Sequence, residues 1–370
     1  MKTKIIAMYL PQFHSIPEND EFWGKGFTDW VTVKKAKPLF ECHNQPRIPF
    51  NENYYDLSEK DSIAWQCKLA REHGVYGFAI YHYWFNNDKN LLTKPAEIIR
   101  DNKEIDINYF FTWDNCNWKR SWSNVSGNAW SPIADGEQNE NQRKGPQILI
   151  PYILGEEPDW ENHYNSLRLH FFDPRYIKID NKPVFSIINH DVDIEKMCDF
   201  WNQLAKKDGF DGMFFIFKNA PRVPRSLFRY SYEPHHVAWG DWGLFHRIKG
   251  YVKRKLHIAE NLEIFDFNKC WDKLLKFAKY NKENTLYYGA FVGYDDTPRR
   301  GNKGKIIRGG TPKQFECYLN KLLDISQSKN KEFVFLTAWN EWGEGAYLEP
   351  DSVVGYAYLQ AVKNVVGKYK

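Results

Sequence analysis

The sequence predicts an α/β fold, a single (β/α)8 barrel of the TIM type with long loop insertions at its carboxyl-terminal rim. Three observations point there. About eight short runs are apolar throughout and rich in β-branched and aromatic residues, as strands buried on both faces are. Helix-patterned segments separate them, which favours a parallel sheet covered by helices. Nearly every run ends in polar residues, and 370 residues accommodate a barrel as one unit. No internal repeat or linker interrupts the chain, so residues 1–370 are expected to form one domain.

The first strand is Lys4 to Leu10, stopped by Pro11. A loop rich in polar and aromatic groups follows, carrying Gln12, His14, Trp23 and Trp30. The first covering helix starts with Ser58 or Asp61 as its cap and stops at Gly74. The second strand, Val75 to Trp84, brings Tyr81, His82 and Trp84 to the rim. The third, Ile107 to Trp113, is followed by Asp114, Asn115 and Asn117. Asn124 to Gly145 reads as an excursion, and Gln147 to Leu154 as a short strand outside the main sheet or part of that excursion. Pro183 to Ile188 and Met213 to Phe217 are the fourth and fifth strands, with a helix between them ending near Gly209. Phe228 to Tyr232 is the sixth and delivers Glu233 and His235; Tyr287 to Val292 is the seventh and delivers Tyr294 and Asp295. Phe333 to Ala338 is the eighth. Insertions lie at Trp239 to Ile264 and Thr297 to Gly310.

The eighth strand leads into Trp339-Asn340-Glu341-Trp342-Gly343-Glu344-Gly345. Two carboxylates three residues apart stand at a strand's carboxyl end, with glycines to allow a turn and indoles beside them. Acid pairs of this kind cleave glycosidic bonds, one group protonating the leaving oxygen while the second acts at the anomeric centre. The alternative is a solvated loop whose acids do no chemistry. Composition supports a sugar site: 15 Trp, 22 Tyr and 26 Phe occur in a chain of mean hydropathy −0.65. Many of the indoles stand beside Asn, Asp, Lys and Arg, as at a wet surface that packs against pyranose C–H faces.

Other chemistries are weaker. A net charge of +4 gives no nucleic-acid footprint. Six scattered cysteines have neither disulfide-framework nor zinc spacing, so no metal and no cofactor is expected. Asp191-Val192-Asp193 has the form of a metal-binding DxD, but acids at a helix start are ordinarily caps. Gly301 to Lys305 lacks P-loop spacing. The basic loop Arg299 to Arg308 is either solvated or a clamp for an acidic or phosphorylated sugar. Arg247 to Lys255 reads as a helix face or a membrane-surface segment. The amino terminus is too short for a signal h-region, and no run reaches the roughly 20 apolar residues of a membrane span. A cytoplasmic chain is expected; its oligomeric state is open.

Five segments carry a family resemblance: Tyr9 to His14, Trp23 to Trp30, Tyr81 to Phe85, Thr297 to Asn302 and Trp339 to Gly345. Together they resemble the WbsX-type proteins of bacterial surface-polysaccharide gene clusters, which are similar to family 99 glycoside hydrolases, the endo-α-1,2-mannosidases. The resemblance implies a (β/α)8 barrel and a retaining reaction without a protein nucleophile. Glu341 would act as base on the substrate 2-hydroxyl and Glu344 as acid. That chemistry requires a 2-oxygen trans to the leaving group, as in α-manno or α-rhamno linkages and not in α-gluco ones. The third-strand motif departs: Trp113-Asp114-Asn115-Cys116-Asn117-Trp118 stands where such proteins read Trp-Ala-Asn-Glu-Asn-Trp.

The expected activity is thus an endo-acting retaining glycoside hydrolase or transglycosidase. Its partner is an oligo- or polysaccharide, with acidic and lipid-linked forms among the alternatives. Glu341 and Glu344 carry the chemistry. Tyr9, Gln12, His14, Trp30, Tyr81, His82, Trp84, Trp113, Asp114, Glu233, Tyr294, Asp295, Arg299, Trp339, Asn340 and Trp342 are the expected sugar contacts. A nucleotide-sugar-dependent glycosyltransferase with metal at Asp191 and Asp193, and a non-catalytic glycan-binding barrel, are the competing readings.

Overall fold

In the computed structural model, residues 2–119, 148–240 and 262–369 are described. Eight parallel strands close on themselves: β1 (Lys4–Tyr9), β2 (Gly77–Asn86), β3 (Asn108–Trp113), β4 (Lys182–Ile187), β5 (Phe214–Lys218), β6 (Phe228–Tyr230), β7 (Leu286–Phe291) and β8 (Phe333–Thr337). Each pairs with its sequence neighbour, and the ring shuts where Lys4 lies opposite Phe333 on one side of β1 and Ile6 opposite Gly77 on the other. The expected strand bounds fall within two residues of these. This is the (β/α)8 barrel the apolar runs imply.

Aromatic side chains fill the barrel interior. Tyr230 and Phe335 stack with centroids 4.5 Å apart, and Phe110 meets Phe335 edge-on. Burying side chains of this size contributes about 1.5–3 kcal/mol each, which makes the interior a packed core below the rim.

The covering helices include α1 (Asp29–Lys35), α2 (Lys60–Glu72), α3 (Lys94–Asp101), α4 (Glu157–Phe172), α5 (Val192–Lys207), α6 (Phe267–Tyr280), α7 (Pro312–Ser328) and α8 (Ala357–Gly367). Their apolar stripes face the strands; on α5, Ile194, Met197, Cys198, Trp201, Leu204 and Ala205 are buried at helical spacing. Asp191 caps α5, its side chain accepting from the Ile194 N–H at 2.9 Å, while Asp193 pairs with Lys196 at 2.8 Å. The capping account of the DxD pattern is therefore the observed one. For α2 neither expected cap is used: the helix starts at Lys60, and Ser58 is instead bound by Asp56. Its stop is as expected, with Gly74 at φ +86°.

Ile148–Ile150 pairs with Trp118–Lys119 outside the main sheet. The two late insertions pair with each other: Glu263–Asp266 runs beside Lys305–Arg308, which also pairs with Tyr294–Asp295. Asn124 to Gly145 and the basic run Arg247 to Lys255 lie outside the described residues. All six cysteines are free thiols. Among the described residues, no helix is long and apolar enough to cross a membrane.

Candidate active site

Beyond β8 the chain makes a miniature hairpin. Asn340–Glu341 pairs antiparallel with Ala346–Tyr347 across the single turn Trp342–Glu344, and Gly345 supplies the left-handed φ of +56° that ends it. Asn340 ties the hairpin to the end of β1: its Oδ1 accepts from the Leu10 N–H at 2.7 Å and its Nδ2 donates to the Leu10 carbonyl at 2.9 Å. The Trp339 N–H donates to the Met8 carbonyl at 2.8 Å. Trp342 stacks on Tyr347 with centroids 3.7 Å apart and donates its indole N–H to Glu349 at 2.6 Å. Held this way, Glu341 and Glu344 both reach one cavity of about 270 Å³ at the barrel mouth.

A single guanidinium joins the acids. Arg299 Nη1 donates to Glu344 at 2.8 Å, its Nη2 lies 3.6 Å from Glu341, and the same Nη2 donates to both Asp29 oxygens at 3.1 and 3.2 Å. Asp29, at the start of α1, also accepts from the Gly343 N–H at 3.2 Å. A Cβ at 343 would stand 2.6 Å from Asp29 Oδ2 and 2.7 Å from Arg299 Nε, so any larger residue must displace that ion pair.

Burial raises the Glu341 carboxyl well above the usual range; Glu344 adds to the rise and Arg299 opposes it. Glu344 is raised too, again by burial first, with Arg299 holding it down. The two differ in surroundings: Glu341 Oε2 is buried without a hydrogen-bond partner, whereas Glu344 receives the short Arg299 bond. Among the protein's own groups the proton therefore favours Glu341.

Of the residues expected at the mouth, Gln12, Tyr81, Asp114, Arg299, Glu341 and Glu344 line the cavity. Burial raises Asp114, and the Cys116 thiol bonded to it opposes this. The other expected contacts point elsewhere. Side chains alternate along a strand, so with Tyr81 and Tyr83 facing the cavity, His82 and Trp84 must face the helices. His82 Nε2 meets His163 Nε2 of α4 at 2.8 Å, and Trp84 stacks on the His163 ring at 4.5 Å. Trp113 is buried in the same layer, donating its indole N–H to the Trp84 carbonyl at 2.9 Å. Tyr9 faces outward as well, donating to Gln66 of α2 at 2.7 Å.

Trp30 donates to the Tyr55 carbonyl at 2.8 Å and, like Trp339, Asn340 and Trp342, is spent on holding loops. His14 is buried, and that burial lowers its pKa. Glu233 turns back to accept from the Val237 N–H at 3.1 Å. Tyr294 donates to Asp296 at 3.2 Å. Asp295 gathers His43, Gln45 and Thr297 within 2.9 Å, clamping two loops together. In the basic loop only Arg299 reaches the cavity: Arg300 pairs with Asp296 at 3.5 Å, and Arg308 lies over the Phe40 ring at 5.2 Å.

Tyr83, Cys116, Lys218 and Tyr232 line the cavity without having been singled out for it, and His235, expected at the end of the sixth strand, lines it too. Period-two alternation around Tyr81 was a signal for Tyr83, and a lysine closing the Phe214–Phe217 run was one for Lys218. Asp29 had no local signal; its role appears only through the long-range contact with Arg299.

A family model described as Glycosyltransferase WbsX matches residues 5–362. Two sequences from Xanthomonas campestris pv. campestris, strains B100 and ATCC 33913, each called uncharacterized protein WxcX, are 28% identical over 372 residues. The match covers 98% of this chain and 49% of theirs, so the chain spans about half the length of the curated relatives it matches. Among solved structures, the GH99 endo-alpha-mannosidase from Bacteroides thetaiotaomicron superposes with a TM-score of 0.57 at 11% identity, covering 99% of this chain and 97% of that one. Its complex with bis-tris-propane gives 0.57 at 12%, covering 99% and 96%. A glycoside hydrolase-like protein gives 0.56 at 13%, covering 99% and 94%. At such identities the likeness shows a shared fold.

Proposed function

The chain belongs to the family described as Glycosyltransferase WbsX, and on that premise we propose that it is a glycan-processing enzyme working by glycosidase chemistry. It acts as an endo-acting, retaining glycoside hydrolase or transglycosidase on an α-manno- or α-rhamno-configured polysaccharide or its precursor. One observation carries this reading: Glu341 and Glu344 converge on a single cavity and share the Arg299 guanidinium.

Glu341 takes the proton of the substrate 2-hydroxyl as that oxygen displaces the leaving group from the opposite face. Glu344 protonates the departing oxygen, and water or an acceptor sugar then opens the bridged intermediate with the roles reversed. The protein's own groups set the opposite proton preference, because Arg299 holds the Glu344 carboxyl down and Glu341 is the more deeply buried. Substrate binding must reverse it: a 2-hydroxyl donating to Glu341 favours its ionised form, and a glycosidic oxygen against Glu344 favours the acid. Tyr81, Tyr83 and Tyr232 are raised well above the usual phenol range by burial and stay neutral donors for sugar oxygens.

Incubation with defined α-manno and α-rhamno oligosaccharides, with α-gluco glycans as the contrast, tests this. Chain cleavage of the first two, lost in Glu341→Gln and Glu344→Gln variants that still fold, is the expected result. Full activity in either variant removes that residue from the mechanism. The family description favours a second reading, glycosyl transfer from a nucleotide sugar. Titration calorimetry with nucleotide sugars separates the two, since only a transferase has a site for the nucleotide.

A further inference from the structure

We propose that the cavity takes a sugar bearing a carboxylate, of the uronic acid class, and that Lys218 is the specificity-determining residue that receives that group, with His235 beside it. The proposal rests on the glycan reading of the cavity and names the substrate class that reading leaves open.

Among the described residues, two cations line the cavity, Arg299 and Lys218. Arg299 is occupied by Asp29, Glu341 and Glu344. Lys218, at the carboxyl end of β5, differs. Among the described residues its ammonium has no carboxylate within 4 Å and no hydrogen bond, and its close partner is the Tyr232 ring, 4.4 Å from Nζ to centroid. Withdrawing an ammonium from water without a counter-ion is costly, and a π face returns only part of that cost. Asp114, Cys116 and Glu344 also face Lys218 electrostatically. Asp114 is engaged by the Cys116 thiol, and Glu344 is committed to Arg299.

His235 supplies an independent observation. Its Nδ1 is buried with no hydrogen-bond partner, while its ring is packed among Tyr232, Trp239 and Tyr294 at 4.8 to 5.5 Å. Burial, then the charges of Lys218, Lys305 and Arg300, push its pKa down to about 3, so it stays a neutral imidazole. A neutral ring gives a bound carboxylate one N–H without a second charge to desolvate. The cavity is thus polarised. The acids and their arginine form one wall, and an unmatched ammonium with an unpartnered imidazole nitrogen forms another. A neutral hexose satisfies the first wall alone; a uronide satisfies both.

Calorimetric titration of the intact chain with methyl α-D-mannopyranosiduronic acid and methyl α-D-mannopyranoside tests this. Wild type binds the uronide about 10- to 100-fold more tightly, the range of a charge-assisted hydrogen bond. Lys218→Met abolishes that preference, weakening the uronide by at least about 10-fold more than the neutral glycoside, and Lys218→Arg restores part of it. Equal affinity of wild type for the two probes, absence of uronide binding, or equal weakening of both probes in Lys218→Met overturns the proposal. The wild-type comparison decides on its own if a variant fails to fold. Because the readout is binding, a failure of the cleavage reading, seen as full activity in Glu341→Gln, is recorded separately from a failure of this one.

Discussion

Substituting Glu349 by glutamine should flatten the pH dependence of stability. Glu349 is buried beneath the acid-bearing hairpin and accepts from Trp342 at 2.6 Å, Tyr55 at 2.7 Å and Gln66 at 2.7 Å. Burial outweighs these donors and raises its carboxyl from 4.5 to about 7. The folded chain then binds this proton more tightly than the unfolded chain does. The stabilisation is fully present below pH 4.5 and is lost as pH rises through 7. At about 1.36 kcal/mol per pH unit of difference, the loss over that interval is about 3 kcal/mol. Glutamine keeps the shape and removes the titration. Gln66 can turn its amide to accept from the new NH2, because the Tyr9 hydroxyl it binds at 2.7 Å can donate or accept. Urea unfolding of both proteins between pH 4.5 and 8 measures the effect. The wild-type free energy should fall by about 3 kcal/mol more than that of the variant. Parallel curves for the two proteins would refute the assignment of a raised carboxyl to Glu349.

Three other outcomes follow from the same geometry. Arg299→Met strands Asp29 and Glu344 without their buried partner, and urea unfolding near neutral pH should show a loss of about 3–5 kcal/mol. Gly343→Ala forces Asp29 and Arg299 apart at a cost of about 1–3 kcal/mol, and glycan cleavage should fall with it. Tyr83→Phe should weaken sugar binding by up to about 10-fold through a lost hydroxyl, whereas Trp84→Phe should lower the melting temperature and leave sugar affinity intact.

The barrel was legible because each strand is an unbroken apolar run with a polar end, a pattern that survives without any knowledge of contacts. The acid pair was legible for the same reason, since position at a strand's end fixes the rim. Facing was not. In Gly77–Asn86 an apolar run buried on both sides carries no polar alternation, so His82 and Trp84 were expected at the rim together with Tyr81, although Tyr81 and Tyr83 are the pair that faces the cavity. Indoles flanking the acids looked like sugar platforms, yet Trp339 and Trp342 are almost wholly buried and brace the turn instead. Asp29 and Arg299 are 270 residues apart in sequence, so their pairing is a product of folding that no local pattern announces.

The brackets from Asn340 to Leu10 and from Trp339 to Met8 have a consequence for assembly on the ribosome. The acid-bearing turn belongs to the last staves of the ring, and it takes its bearings from the first one. A growing chain can pack six or seven staves and still hold an open seam beside β1. Catalytic competence should therefore arrive abruptly, when residues near 340 leave the exit tunnel and insert into that seam, and not by degrees as the polypeptide lengthens.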